Sequence, residues 1–141
     1  MSTVTREATE ADYEALCAII EEVDKVHREA LPRRFRRPEG PARERNFIAN
    51  AIGAPHVGLF VAEKGSQVVG LVHVILRDVP AFPIFVPRRY AVIDNLAVAS
   101  AHRRSGIGSA LMKRAEAWAR AKGANSVELN VYAFNGPAQG F

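Results

Sequence analysis

Apolar residues recur along this chain in two rhythms, and the points where the rhythm changes mark its elements. Thr3 to Ala8 reads as a short opening strand. Tyr13, Leu16, Cys17, Ile20 and Val23, extending to His27, then follow helical spacing, and Thr9-Glu10-Ala11-Asp12 ahead of them offers a hydroxyl cap and an acidic first turn. Leu31 to Pro41 is rich in Pro and Arg and is read as an irregular basic loop, while Ala42 to Ile52 predicts a second, shorter helix closed by Gly53 and Pro55. Val57 to Glu63 and Val68 to Arg77 are β-rich runs, and the turn Lys64-Gly65-Ser66-Gln67 between them is of hairpin length, so they are expected to pair antiparallel. Pro80, Pro83 and Pro87 make Asp78 to Arg88 a connection, after which Tyr90 to Val98 forms a third long strand. A Gly-containing turn leads into a helix from about Gly106 to Lys122, with Ile107, Leu111, Ala115, Trp118 and Ala119 on one face and Gly123 at its end. Ser126 to Tyr132 is a further strand, and Asn135-Gly136-Pro137 predicts the start of a last helix. The order predicts a mixed α/β (α+β) domain, a mostly antiparallel sheet flanked by helices on both faces.

Bulk properties narrow the class. The 141 residues suit one domain with one core. With 48% apolar and 24% charged residues the balance is that of an ordinary globular chain. No apolar run approaches the roughly 20 residues of a membrane span, and Met1 to Glu10 has no signal-peptide pattern, so no membrane role and a cytoplasmic location are expected. Cys17 is the single cysteine, which excludes an internal disulfide and suits a small core residue. The four histidines, at 27, 56, 73 and 102, lack metal-ligand spacing, and no metal is expected. A net charge of +4 fits a nucleic-acid partner and an anionic cofactor equally well.

The segment that separates these readings is Arg103-Arg104-Ser105-Gly106-Ile107-Gly108-Ser109, set between a strand and an amphipathic helix. Its glycines allow close backbone approach, the first N–H groups of the helix point outward at the positive end of its dipole, and two arginines stand beside them. That is an anion cradle suited to a pyrophosphate. A Rossmann turn would need a third glycine and a repeating β-α-β pattern, and a P-loop would end in Gly-Lys-Ser/Thr; neither is present. Arg103-x-x-Gly106-x-Gly108 after Asn95-Leu96-Ala97-Val98 resembles the acetyl-CoA signature of the GNAT N-acetyltransferase family, whose consensus begins with Gln or Arg. The Arg6-x-Ala8-Thr9-x-x-Asp12 opening, Ala110-Leu111-Met112 and Asn135 extend the resemblance over nearly the whole chain.

The resemblance implies acetyl-CoA as cosubstrate and direct transfer of its acetyl group to a primary amine, on a small molecule or a peptide. It implies a bulge in the Tyr90–Val98 strand, with Leu96, Ala97 and Val98 pairing with the pantetheine arm as an added strand would. The pyrophosphate would sit on the N–H groups from Arg103 to Ser109, through Arg104, Ser105, Gly106, Ile107 and Gly108, and Asn135 would face the cofactor. Because those roles come from backbone position, side-chain changes at Ser105 or Ile107 are expected to matter little.

Transfer to an amine also needs a proton acceptor. Asp94, two positions before Leu96, is placed on the same strand face by alternation and is the candidate base; the alternative is a solvated or structurally bonded carboxylate. Some family members carry a Glu where this chain has Asn130, which cannot act as a base, and Glu128 is a weaker candidate. Arg33-Arg34-Phe35-Arg36-Arg37 reads as a solvated loop, as part of an acceptor site, or as a nucleic-acid patch; the single aromatic argues against the last. A non-catalytic acyl-CoA-binding module is the rival from another class.

The family pattern Asn-x-x-Ala-x-x-Phe is matched by Asn135, Ala138 and Phe141, and in the family a general-acid Tyr and two strands follow. Tyr132 belongs to the preceding strand and is no evident substitute. The sequence therefore reads as a domain truncated at its C-terminus, with impaired transfer expected and the Ser126–Tyr132 edge open to pairing in a homodimer.

Overall fold

A computed structural model describes residues 3–80 and 82–129. The strands are β1 Thr3–Glu7, β2 Val57–Lys64, β3 Gln67–Asp78, β4 Arg89–Val98 and β5 Ser126–Leu129; the helices are α1 Tyr13–Ala30, α2 Arg45–Gly53 and α3 Ile107–Ala121. The sheet runs in sequence order, β1-β2-β3-β4-β5. The first three pairings are antiparallel, and β5 lies parallel to β4 after the α3 crossover, as the reading of a mostly antiparallel sheet required.

Strand alternation divides the core between the two faces. Leu59, Val61, Leu71 and Ala97 meet Leu16, Ile19 and Ile20 of α1 and Ile48 and Ala51 of α2. Phe60, Val72, Val74, Ala91 and Ile93 face the other way, against Ile107, Leu111, Ala115 and Ala119 of α3. Helices thus cover both faces, and burial of these stripes drives the assembly. Trp118 of α3 stands edge-on to Phe60, 6.2 Å between ring centres. That contact explains Gly58 on β2, where an added Cβ would come within 2.8 Å of Phe60, 2.9 Å of Val74 and 3.1 Å of Trp118.

The Arg6-x-Ala8-Thr9-x-x-Asp12 opening is a structural clasp. Arg6 donates to both oxygens of Asp12, at 2.8 and 2.9 Å, and to Glu63 on β2 at 2.9 Å. The Asp12 carboxylate also accepts the Thr9 N–H at 2.8 Å, which turns the chain through a 3-10 turn at Glu10–Asp12 into α1. The Arg6 hydrogen bonds hold the buried Asp12 carboxyl below its ordinary range, against the opposing effect of burial.

The second helix begins at Arg45, three residues later than the sequence pattern predicts. Its first predicted turn is used elsewhere: the Arg43 carbonyl accepts the Tyr13 hydroxyl and the Cys17 thiol, the Arg43 side chain bonds Asp24 at 2.9 Å, and Glu44 is extended. Residues 31–44 form the connection, with Arg33, Arg34, Arg36 and Arg37 exposed. Asn130, Tyr132, Asn135, Ala138, Phe141 and the predicted last helix lie outside the described residues.

Candidate active site

The β4 strand carries the bulge that the family resemblance implied. His73 pairs with Asn95 and Val74 with Ile93, which leaves Asp94 as the extra residue. The slip corrects the face assigned to Asp94. Leu96 and Val98 pack with the α3 cluster, whereas Asp94 turns to the α1–α2 face, opposite Leu96 rather than beside it. Simple alternation fails there because one β4 residue has no β3 partner.

On that face the Asp94 carboxylate lies 3.2 Å from Nδ1 of His73. The His73 side chain is 12% exposed and that of Asp94 57%. The His73 hydrogen bond holds the Asp94 carboxyl below its usual range; burial opposes it, and the charges of His73, Arg43 and Arg77 assist. Phe47 of α2 approaches the His73 ring edge-on, 6.1 Å between centres. Both members of the pair open onto a cavity of about 240 Å³ between α1, α2 and the sheet, bordered also by Arg43 and Asn95. Sequence reading weighed His73 only as a metal ligand. Its signal was a histidine in an apolar strand, on the face it shares with Leu71. Glu128 is exposed on β5 opposite Val92 and does not border this cavity.

The cradle lies at the other end of the bulge. Parallel pairing of β4 with β5 runs from Tyr90↔Ser126 to Ile93↔Leu129, so among the described residues Leu96, Ala97 and Val98 have no β5 partner. Past β4 the chain makes a 3-10 turn at Ser100–His102 and enters α3 through Gly106, whose φ of 82° is left-handed. A Cβ at Gly106 would meet nothing within 4 Å, so dihedral strain rather than crowding selects glycine there. The first intrahelical bond is Ala110 N–H to the Gly106 carbonyl, at 3.1 Å, and no side chain caps the helix. The N–H groups of Ile107, Gly108 and Ser109 are therefore the donors left over at a helix start.

The side chains of the turn divide the work unevenly. Arg104 is exposed, at φ 63°, and Ser105 donates its hydroxyl to the His102 carbonyl. Arg103 folds back, with Nε 3.1 Å from the Val98 carbonyl and a guanidinium nitrogen 3.8 Å from Glu22. It braces the turn against β4 and α1. Ile107 is 2% exposed in the α3-side core, so the expectation that its side chain matters little is corrected: its backbone faces the cradle while its side chain is structural.

Together these features set a helix start with uncapped N–H donors beside a bulged central strand. The chain belongs to the GNAT family of acetyltransferases: the family model described as "Acetyltransferase (GNAT) family" matches residues 20–141. It is similar to a mutant BH1408 protein from Bacillus halodurans, at 25% identity and TM-score 0.92, over 98% of this chain and 88% of that one. An acetyltransferase from Vibrio fischeri shares the fold at 23% identity and TM-score 0.71, over 89% and 95% of the two chains. So does an aminoglycoside acetyltransferase from an uncultured soil metagenomic sample, in complex with sisomicin, at 19% identity and TM-score 0.71, over 99% and 84%. No curated protein matches the chain. Among the described residues no helix is long and apolar enough to cross a membrane.

Proposed function

We propose that the protein is an acetyl-CoA-dependent N-acetyltransferase that moves the acetyl group to a primary amine by direct transfer. The observation that carries this reading is the β4 bulge, which joins a backbone edge at Leu96–Val98, without a β5 partner among the described residues, to the hydrogen-bonded pair Asp94 and His73. The pantetheine arm pairs with the β4 edge, and the pyrophosphate lies on the N–H groups between Arg103 and Ser109. Arg104 supplies a cation, and Asn135, outside the described residues, completes the cofactor contacts.

In the transfer the amine nitrogen attacks the thioester carbon, a C–N bond forms, the C–S bond breaks, and the thiolate leaves as CoA and takes up a proton. The proton lost by the amine passes to the Asp94–His73 pair. A carboxylate that accepts from Nδ1 fixes the tautomer that keeps the lone pair on Nε2, so the imidazole can act as the base while Asp94 orients it.

The cradle is tested by Gly106→Val combined with Gly108→Val. A β-branched residue at φ 82° is strained and walls off the N–H groups. The expected outcome is loss of CoA binding by calorimetry while far-UV circular dichroism is retained. Unchanged affinity in the folded double variant would remove the turn from the cofactor site.

A further inference from the structure

The cavity that opens onto Asp94 and His73 has a composition that discriminates among amines. Its walls are Leu16 and Ile20 of α1, Ile48 and Ala51 of α2, and Leu59 and Leu71 of the sheet. Polar groups gather at one end, where Arg43, His73, Asp94 and Asn95 border it. Asp94 is the single carboxylate among the described residues that line it, and it is already bonded to His73. Arg43 is a cation at the same end, held by Asp24 at 2.9 Å, and Arg77 adds positive potential at Asp94. At about 240 Å³ the space falls below the roughly 300–1,000 Å³ of typical ligand pockets.

We infer that the acceptor is a small monoamine carried on an apolar body, and that polycations are rejected. This rests on the acetyl-transfer reading. A single amine meets the Asp94–His73 pair while its apolar body fills the space between α1, α2 and the sheet, where burial is favourable. Each further ammonium of a polyamine or an aminoglycoside would enter beside Arg43 without a second carboxylate among the described lining residues to receive it. Unpaired charge and like-charge contact both disfavour that. Phe47, 46% exposed and edge-on to His73, forms the wall nearest the reacting amine and is the specificity-determining side chain.

The experiment compares phenethylamine and isoamylamine with spermidine and sisomicin, at saturating acetyl-CoA, by release of free thiol and by calorimetric binding to the CoA-loaded protein. The expected result is a kcat/KM for the two monoamines at least about tenfold above that of either polycation, the scale on which apolar pockets discriminate. Phe47→Glu should reverse the order with CoA affinity retained. Faster acetylation of spermidine or sisomicin by the unaltered protein overturns the acceptor class and leaves acetyl transfer standing. Binding of the monoamines without turnover supports the class and takes down the transfer reading, and failure of every amine to bind overturns the inference. If Phe47→Glu instead alters preference among acetyl-, butyryl- and hexanoyl-CoA and leaves amine preference untouched, the cavity holds the acyl chain and the inference fails.

Discussion

On the α3 face of the sheet, aliphatic side chains from β2, β3 and β4 meet Ile107, Leu111, Ala115 and Ala119. At its edge the turn that starts α3 presents backbone N–H groups that no side chain caps. The opposite face is built on two helices and an irregular connection, and it encloses a cavity with a carboxylate, an imidazole and a guanidinium at one end. One face is a rigid support for a helix start; the other leaves room and chemistry. The difference teaches that the helix start and the cavity rest on separate packing problems, joined at one bulged residue, Asp94.

The largest effect should separate the two faces by stability. Leu111 and Leu16 are both fully buried, but Leu16 borders the cavity whereas Leu111 lies in the α3 cluster. Leu111→Ala is expected to cost about 3–5 kcal/mol, the upper part of the range for such truncations, and Leu16→Ala about 2–3 kcal/mol, because its surroundings already contain space. Urea unfolding of the two variants checks the ranking. Equal losses would mean that the two faces are packed alike.

Next in size is the chemical effect at the bulge. Asp94→Asn keeps the shape but removes the anion that holds His73. Turnover should fall about a hundredfold, or roughly 2.7 kcal/mol of transition-state stabilisation. Affinity for CoA should hold, because the cradle lies on the other side of the strand. His73→Gln should fall similarly, and the double variant by little more, since the pair acts as one unit. Steady-state kinetics with calorimetry decides; independent, additive losses would break the pair into unrelated residues.

How much of this was legible in the chain follows the same division. The strands, the 64–67 turn and α3 stood out because their apolar periods are uninterrupted and Gly or Pro marks their ends. The cradle was legible for the same reason: a helix start is a local feature, and Gly106 adopts the left-handed conformation that the motif suggested. What escaped depends on contacts distant in sequence. The start of α2 is set by the Arg43 carbonyl, claimed by Tyr13 thirty residues earlier. The bulge is set by how β3 pairs with β4, so the period of two could not show that Asp94 leaves the face of Leu96. His73 offered only the signal of a histidine in an apolar strand, because the carboxylate that gives it a role stands 21 residues later.

The smallest effect concerns the clasp that ties β1 to α1, and it is read through pH. Asp12 is buried and bonded twice to Arg6, whose side chain is about a third open to solvent at 34%. Asp12→Asn leaves an acceptor for the Thr9 N–H but removes the charge opposite Arg6. The cost should be about 1–2 kcal/mol, below that of a fully buried ion pair because the arginine is partly hydrated. The folded-state pKa of Asp12 is depressed, chiefly by the Arg6 hydrogen bonds, so its contribution is fully present above the ordinary carboxyl pKa of about 4 and is lost as pH falls through the lower folded value. Between pH 7 and 5 the protein and its Asp12→Asn variant should therefore differ by a constant amount, and below about pH 4 the gap should close. Arg6 brings no alkaline counterpart, since its guanidinium is pushed further from titration by the same partners. Urea midpoints taken along this pH series check the sign. A gap that does not narrow at all as pH falls below about 4 would show that Asp12 acts through packing or its Thr9 bond alone, and the clasp would then be steric rather than ionic.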